Sequence, residues 1–116
     1  MSVLVDKSYA FAIRIVNMNR YLLETKKEYV LRKQLLRSGT AIGALVSEAQ
    51  YAQSKADFIN KLHIALKEAN ESKYWIGLLY DTDYITQEMY ESILPDTEAL
   101  IKMLTSSINT TKERTP

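Results

Sequence analysis

The chain has 116 residues, a formal net charge of +1, 47% hydrophobic and 25% charged side chains, proportions that exclude a disordered or fibrous chain and lead us to expect one domain with one core. Cysteine is absent, which excludes a disulfide framework, a thiolate metal site and a cysteine nucleophile, and suits a reducing compartment. The N-terminus has no basic segment followed by a long apolar stretch, and nowhere do about 18 apolar residues run uninterrupted, so a cytoplasmic protein without membrane spans is expected.

Three glycines and two prolines punctuate the chain, and alternating apolar residues never persist, so long helices are predicted throughout. The first is predicted over 6–25, with Asp6 as N-cap and Phe11, Ile15, Met18 and Leu22 on one face. A Lys26-Lys27 turn leads to a second over 28–53, where Leu31, Leu35, Ser38, Ile42 and Ala49 keep the helical period. Its stripe narrows midway at Gly39, Ala41, Gly43 and Ala44, and Leu62, Leu66, Tyr74 and Trp75 of the third helix are expected to pack over that waist. The third helix, 55–80, opens on a capping-box-like Ser54-Lys55-Ala56-Asp57. The fourth, 86–109, starts at Thr86 with Glu88 in its first turn; Pro95 should kink or split it, and the polar tail after Asn109 should fray.

Short connections between long helices give antiparallel neighbours, hence an all-α, antiparallel up-and-down four-helix bundle. Around Tyr74-Trp75-Ile76-Gly77-Leu78-Leu79-Tyr80 and Phe11-Ala12-Ile13-Arg14-Ile15-Val16 the large apolar side chains point in every direction. A helix that is apolar all round needs cover on more than one side, and self-association supplies it.

Residues 1–50 hold eight Lys/Arg against four acids, a net of +4, whereas residues 51–116 hold seven against ten, a net of −3. Arg14, Arg20, Lys26, Lys27, Lys33 and Arg37 are the candidate basic face for an anionic partner, although such a split also arises from scattered solvated charge.

Catalytic constellations fall short. A carboxylate-bridged di-iron bundle needs Glu-x-x-His on two helices, and this chain has one histidine, His63, and no such motif. No strained nucleophile elbow accompanies His63. Gly39 and Gly43 lie within a helix, with no strand before them and no Gly-Lys-Ser/Thr, so they are packing residues and not a phosphate loop. No cofactor or metal is implied. Glu48, Glu68 and Glu71 are the remaining polar candidates. If helices two and three turn near Gln53 and Ser54, Arg37 comes level with Asn70 and Glu71, and a cross-helix ion pair with Glu71 or Glu68 fixing register is expected in preference to acid–base chemistry.

The run Gln34-Leu35-Leu36-Arg37-Ser38-Gly39-Thr40-Ala41-Ile42-Gly43-Ala44, with Ser47-Glu48-Ala49, Ser54-Lys55-Ala56-Asp57-Phe58-Ile59 and Ile64-Ala65-Leu66-Lys67-Glu68-Ala69-Asn70-Glu71-Ser72-Lys73-Tyr74-Trp75, resembles the four-helix-bundle proteins encoded in intervening sequences of bacterial 23S ribosomal RNA genes. That family has no established enzymatic activity. Its members are similar to the accessory protein of diversity-generating retroelements, a five-fold ring of bundles that engages a reverse transcriptase and nucleic acid through basic surfaces. The resemblance implies a non-catalytic homo-oligomer, a pentamer in the first instance, that binds RNA, DNA or a nucleic-acid enzyme through the basic side of helices one and two. Leu45 stands where many members have Asn, so no role of that Asn transfers. A near-neutral net charge also fits an alternative, a protein-interaction scaffold without nucleic-acid affinity.

Overall fold

Helices in this chain begin where a side-chain oxygen can receive their free N–H groups. In the computed structural model, which describes residues 2–114, α1 (Val3–Glu24) opens on Ser2, whose hydroxyl accepts from the Leu4 and Val5 N–H groups at 3.1 and 3.3 Å. Asp6, expected as the cap, instead sits in the first turn, where its charge complements the helix dipole. Helix α2 (Leu31–Ala49) is shorter than the expected 28–53, because Glu28 stays outside it and residues after Ala49 turn toward α3.

Helix α3 (Lys55–Asp81) opens on Ser54, whose hydroxyl accepts from the Asp57 N–H at 3.0 Å, while the Asp57 carboxylate accepts from the Gln53 N–H at 3.3 Å. It closes in a Schellman turn: Asp83 takes φ 67°, the Asp83 N–H returns to the Tyr80 carbonyl at 3.1 Å, and the Tyr84 N–H to that of Leu79 at 2.9 Å. Helix α4 (Gln87–Glu113) opens on Thr86, which accepts from the Met89 N–H at 3.1 Å. Pro95 does not split the helix, and the helix does not end near Asn109 as expected; one helix runs through both positions. Pro95 and Glu91, whose carbonyl it leaves without a helical donor, both face solvent, so water can take the missing bond's place.

Each helix packs on two neighbours: α1 lies beside α2 and α4, α3 beside α2 and α4, and the diagonal pairs stay apart. The result is a bundle 52 × 21 × 21 Å. Phe11, Ile15, Leu22, Leu35, Ile42, Leu62, Ile76, Leu79, Ile93 and Leu104 fill its centre, all essentially closed to solvent. Two buried hydroxyls are matched across that core. The Ser72 and Ser38 hydroxyls lie 2.9 Å apart across α2 and α3, and each also approaches a carbonyl of its own helix, of Glu68 and Leu35.

The small waist of α2 serves a different neighbour from the one expected. A Cβ at Gly39 would lie 2.7 Å from the Ile15 side chain, and one at Gly43 would lie 3.1 Å from the Ser8 carbonyl oxygen. Both glycines therefore admit α1, not the bulky residues of α3. Tyr74 of α3 points into solvent instead, and Trp75 is half-buried with its Nε1 donating to Glu71 Oε2 at 3.0 Å.

Candidate nucleic-acid interface

The turn between α1 and α2 is organised around one carboxylate. Glu28 is buried, and its two oxygens accept from the backbone N–H groups of Val30, Leu31 and Arg32 at 3.1, 2.9 and 2.7 Å. Val30 occupies the N-cap position with no side-chain acceptor of its own, so Glu28 supplies the cap from outside the helix. Burial alone would push its carboxyl up; the three N–H groups and the nearby Arg32 guanidinium outweigh that and hold it below the ordinary carboxylate value. Lys27 takes φ 56°, a left-handed conformation that reverses the chain so that the Glu28 N–H reaches the Leu22 carbonyl at 2.9 Å. Across the seam, Arg32 Nη1 donates to Asn19 Oδ1 at 3.1 Å, setting the first turn of α2 against the last turns of α1.

This geometry gathers Arg20, Lys26, Lys27 and Lys33 at one end of the bundle, all exposed and none in an ion pair with an acid. Arg20 only reaches Asn17 of its own helix, at 3.4 Å. Between Lys27 and Lys33 stand two exposed apolar residues, Tyr29 at 55% and Val30 at 69%. Glu24 is the acid on this side, while Asp81, Asp83 and Glu88 belong to the α3–α4 turn at the same end. The end is thus divided, basic along α1–α2 and acidic along α3–α4.

Two cations of the expected basic face belong elsewhere. Arg14 lies on the α1–α4 seam, where Nη1 donates to Asp96 Oδ2 at 2.7 Å and to the Ser92 carbonyl at 3.0 Å, and Nη2 donates to Ser92 Oγ at 2.7 Å. It spans the rim of an open cleft of about 390 Å³ whose walls include Met18, Tyr21, Met89 and Ile93. Arg37 lies on the α2–α3 seam, with Nη2 donating to Glu71 Oε2 at 2.8 Å and Nη1 4.0 Å from Glu68 Oε1. The six cations therefore do not form one continuous surface.

The remaining candidates are equally dispersed. Glu48 pairs with Lys61 at 3.2 Å near the other end, and His63 is exposed on α3. Glu68 is buried, and its Oε1 accepts no hydrogen bond. Among the described residues no group of three or more His, Asp or Glu side chains could hold a metal ion, and no helix is long and apolar enough to cross a membrane. Sequence reasoning missed both Glu28 and Tyr29. A Glu three residues before the apolar period of α2 resumes, and an aromatic residue set among lysines, were the available signals.

A family model described as 23S rRNA-intervening sequence protein matches residues 2–106. No curated protein matches the chain. A solved crystal structure, described as a protein of unknown function from the S23 ribosomal protein family from Bacteroides thetaiotaomicron, is 58% identical, with TM-score 0.90, the match covering 91% of this chain and 98% of that one. With the family model spanning nearly all of a four-helix chain, this protein belongs to the 23S rRNA-intervening sequence protein family.

Proposed function

We propose that the protein is a non-catalytic, homo-oligomeric accessory factor of the cytoplasm that binds nucleic acid, alone or with a nucleic-acid enzyme, through the α1–α2 end of the bundle. The observation that carries this reading is the set of four exposed cations, Lys26 and Lys27 on the α1–α2 turn with Arg20 and Lys33 on the helices that flank it, none with an acidic partner. Cations left without intramolecular pairs are free to displace counterions from phosphates, the main source of sequence-independent affinity. The acids of the α3–α4 turn limit this to one side of the end and orient an anionic strand along α1–α2.

Self-association is supported by a second surface, the outer face of α1, where Tyr9 is 69% and Ile13 50% exposed and the partly exposed Val16 continues the same stripe. Apolar groups this large in a row are rarely left to water in a monomer. A five-membered ring is the arrangement we favour.

Titrating the oligomer with RNA and DNA over a range of salt tests the nucleic-acid reading. If all four cations engage phosphates of a single strand, log K should fall with log salt at a slope of about −2 to −3. Replacing Lys26, Lys27 and Lys33 by Gln should flatten that slope. Salt-independent binding, or none at low salt, would leave the interaction scaffold as the better description.

A further inference from the structure

We infer that Tyr29 is a stacking platform, so that the α1–α2 turn takes single-stranded nucleic acid with an unpaired base laid on the phenol ring; this rests on the nucleic-acid reading of the same turn and specifies its ligand. Three features converge on that residue. Its side chain is 55% exposed although it is large and aromatic. The exposed cations Lys26 and Lys27 precede it in the same turn, and Lys33, in the first turn of α2, follows it. Its backbone is fixed on both sides, because Glu28 is buried and the Val30 N–H is bonded to the Glu28 carboxylate at 3.1 Å. The turn is therefore held before any ligand arrives, and little ordering cost falls on binding.

Electrostatics and ring together select the strand type. Phosphates are drawn by the cations, and every base presents a π-face that an exposed aromatic ring can cover, which is the general arrangement of sequence-tolerant single-strand binding. In a duplex those faces are already stacked on one another, so the ring has nothing to add and only the cations contribute. Val30, beside Tyr29 and 69% exposed, widens the apolar floor on which a base can rest.

Tyr51 provides an internal comparison. It is 85% exposed, more than Tyr29, but it lies at the opposite end, where Glu48 is paired to Lys61 and Asp57 is engaged in capping α3. Exposure alone does not make a platform; the unpaired cations around Tyr29 do.

The test uses the intact protein and fluorescence anisotropy with labelled oligo-dT, oligo-U and a blunt DNA duplex of equal length. Tyr29→Ala should lower single-strand affinity about 5- to 150-fold, the range for loss of one base–aromatic stack, while duplex affinity and the salt slope stay unchanged. Tyr29→Phe should keep wild-type affinity, and Tyr51→Ala should behave as wild type. In Tyr29→Trp, the new indole emission should be quenched by either single strand. Wild-type single-strand affinity in Tyr29→Ala, or an equal loss in Tyr51→Ala, would overturn the platform and leave phosphate binding by the turn intact. No binding of the wild-type protein to any of the three probes at low salt would overturn both readings.

Discussion

Arg37 shows how much one ion pair can be asked to do. It bonds Glu71 at 2.8 Å, but its side chain is 59% exposed, so water and salt compete for both partners. We therefore expect Arg37→Met to cost less than about 1 kcal/mol, and a double-mutant cycle with Glu71→Gln to give a coupling of about 0.5 kcal/mol. The cycle with Glu68→Gln should give a smaller coupling, because 4.0 Å separates the charged atoms and no hydrogen bond joins them. A coupling of several kcal/mol with either Glu would contradict the exposed setting. The three glycines make the same point about position. Gly39→Ala should destabilise by about 1–3 kcal/mol, since its Cβ would overlap an Ile15 side chain that is itself fully enclosed. Gly43→Leu should cost a similar amount, about 1–3 kcal/mol, by forcing α1 away at Ser8. Gly77 has nothing within 4 Å of its Cβ direction, so Gly77→Ala should stabilise by up to about 1 kcal/mol through helix propensity alone. Thermal melting of the three variants gives opposite signs if the packing is as described.

At the scale of the element, the start of α2 depends on a residue outside it. Glu28→Ala would strand three backbone donors in a half-buried turn and should cost about 1–3 kcal/mol, several degrees in Tm for a chain of this size. Its carboxyl is held low in the folded protein, so its contribution is fully present above the unfolded value of about 4.3 and is lost as pH falls through the lower folded value. The stability gap between wild type and Glu28→Gln should accordingly be constant near neutrality and close below about pH 4. A gap that persists unchanged into acid would mean the carboxylate charge contributes nothing to the cap. The apolar period showed where α2 packs, but the cap sits three residues ahead of the helix, a side-chain-to-backbone closure that no periodicity encodes. Tyr29 escaped for a related reason: a lone aromatic in a turn has no pattern, and only its exposure in the folded chain separates it from a core residue.

At the scale of the molecule, the outer face of α1 predicts assembly. A bundle only 21 Å across has little interior in which to hide Tyr9, Ile13 and Val16 once its own core is complete. Light scattering at micromolar concentration should give a multiple of 13.3 kDa, five-fold in our favoured arrangement, and Tyr9→Glu with Ile13→Glu should shift it toward the monomer without unfolding it. A wild-type mass of 13.3 kDa would remove the oligomer from the proposal.

The sequence by itself determined the helices and the family. Apolar residues at helical spacing, few breakers, and short polar connections leave an antiparallel bundle as the way to bury four apolar faces, and the Arg37-to-Glu71 level follows from the length of one hairpin. Only the tertiary structure decided which seam each polar side chain enters. Gly39 and Gly43 face α1 because the rotation of α2 about its own axis is set by all its neighbours at once, and no count along the chain fixes that angle. Arg14 is separated from the other cations by the corresponding rotation of α1, which turns it to Asp96 on α4. Charges close in sequence can lie on different sides of a helix, and which of them remain free for a ligand depends on where the acids of distant helices come to rest.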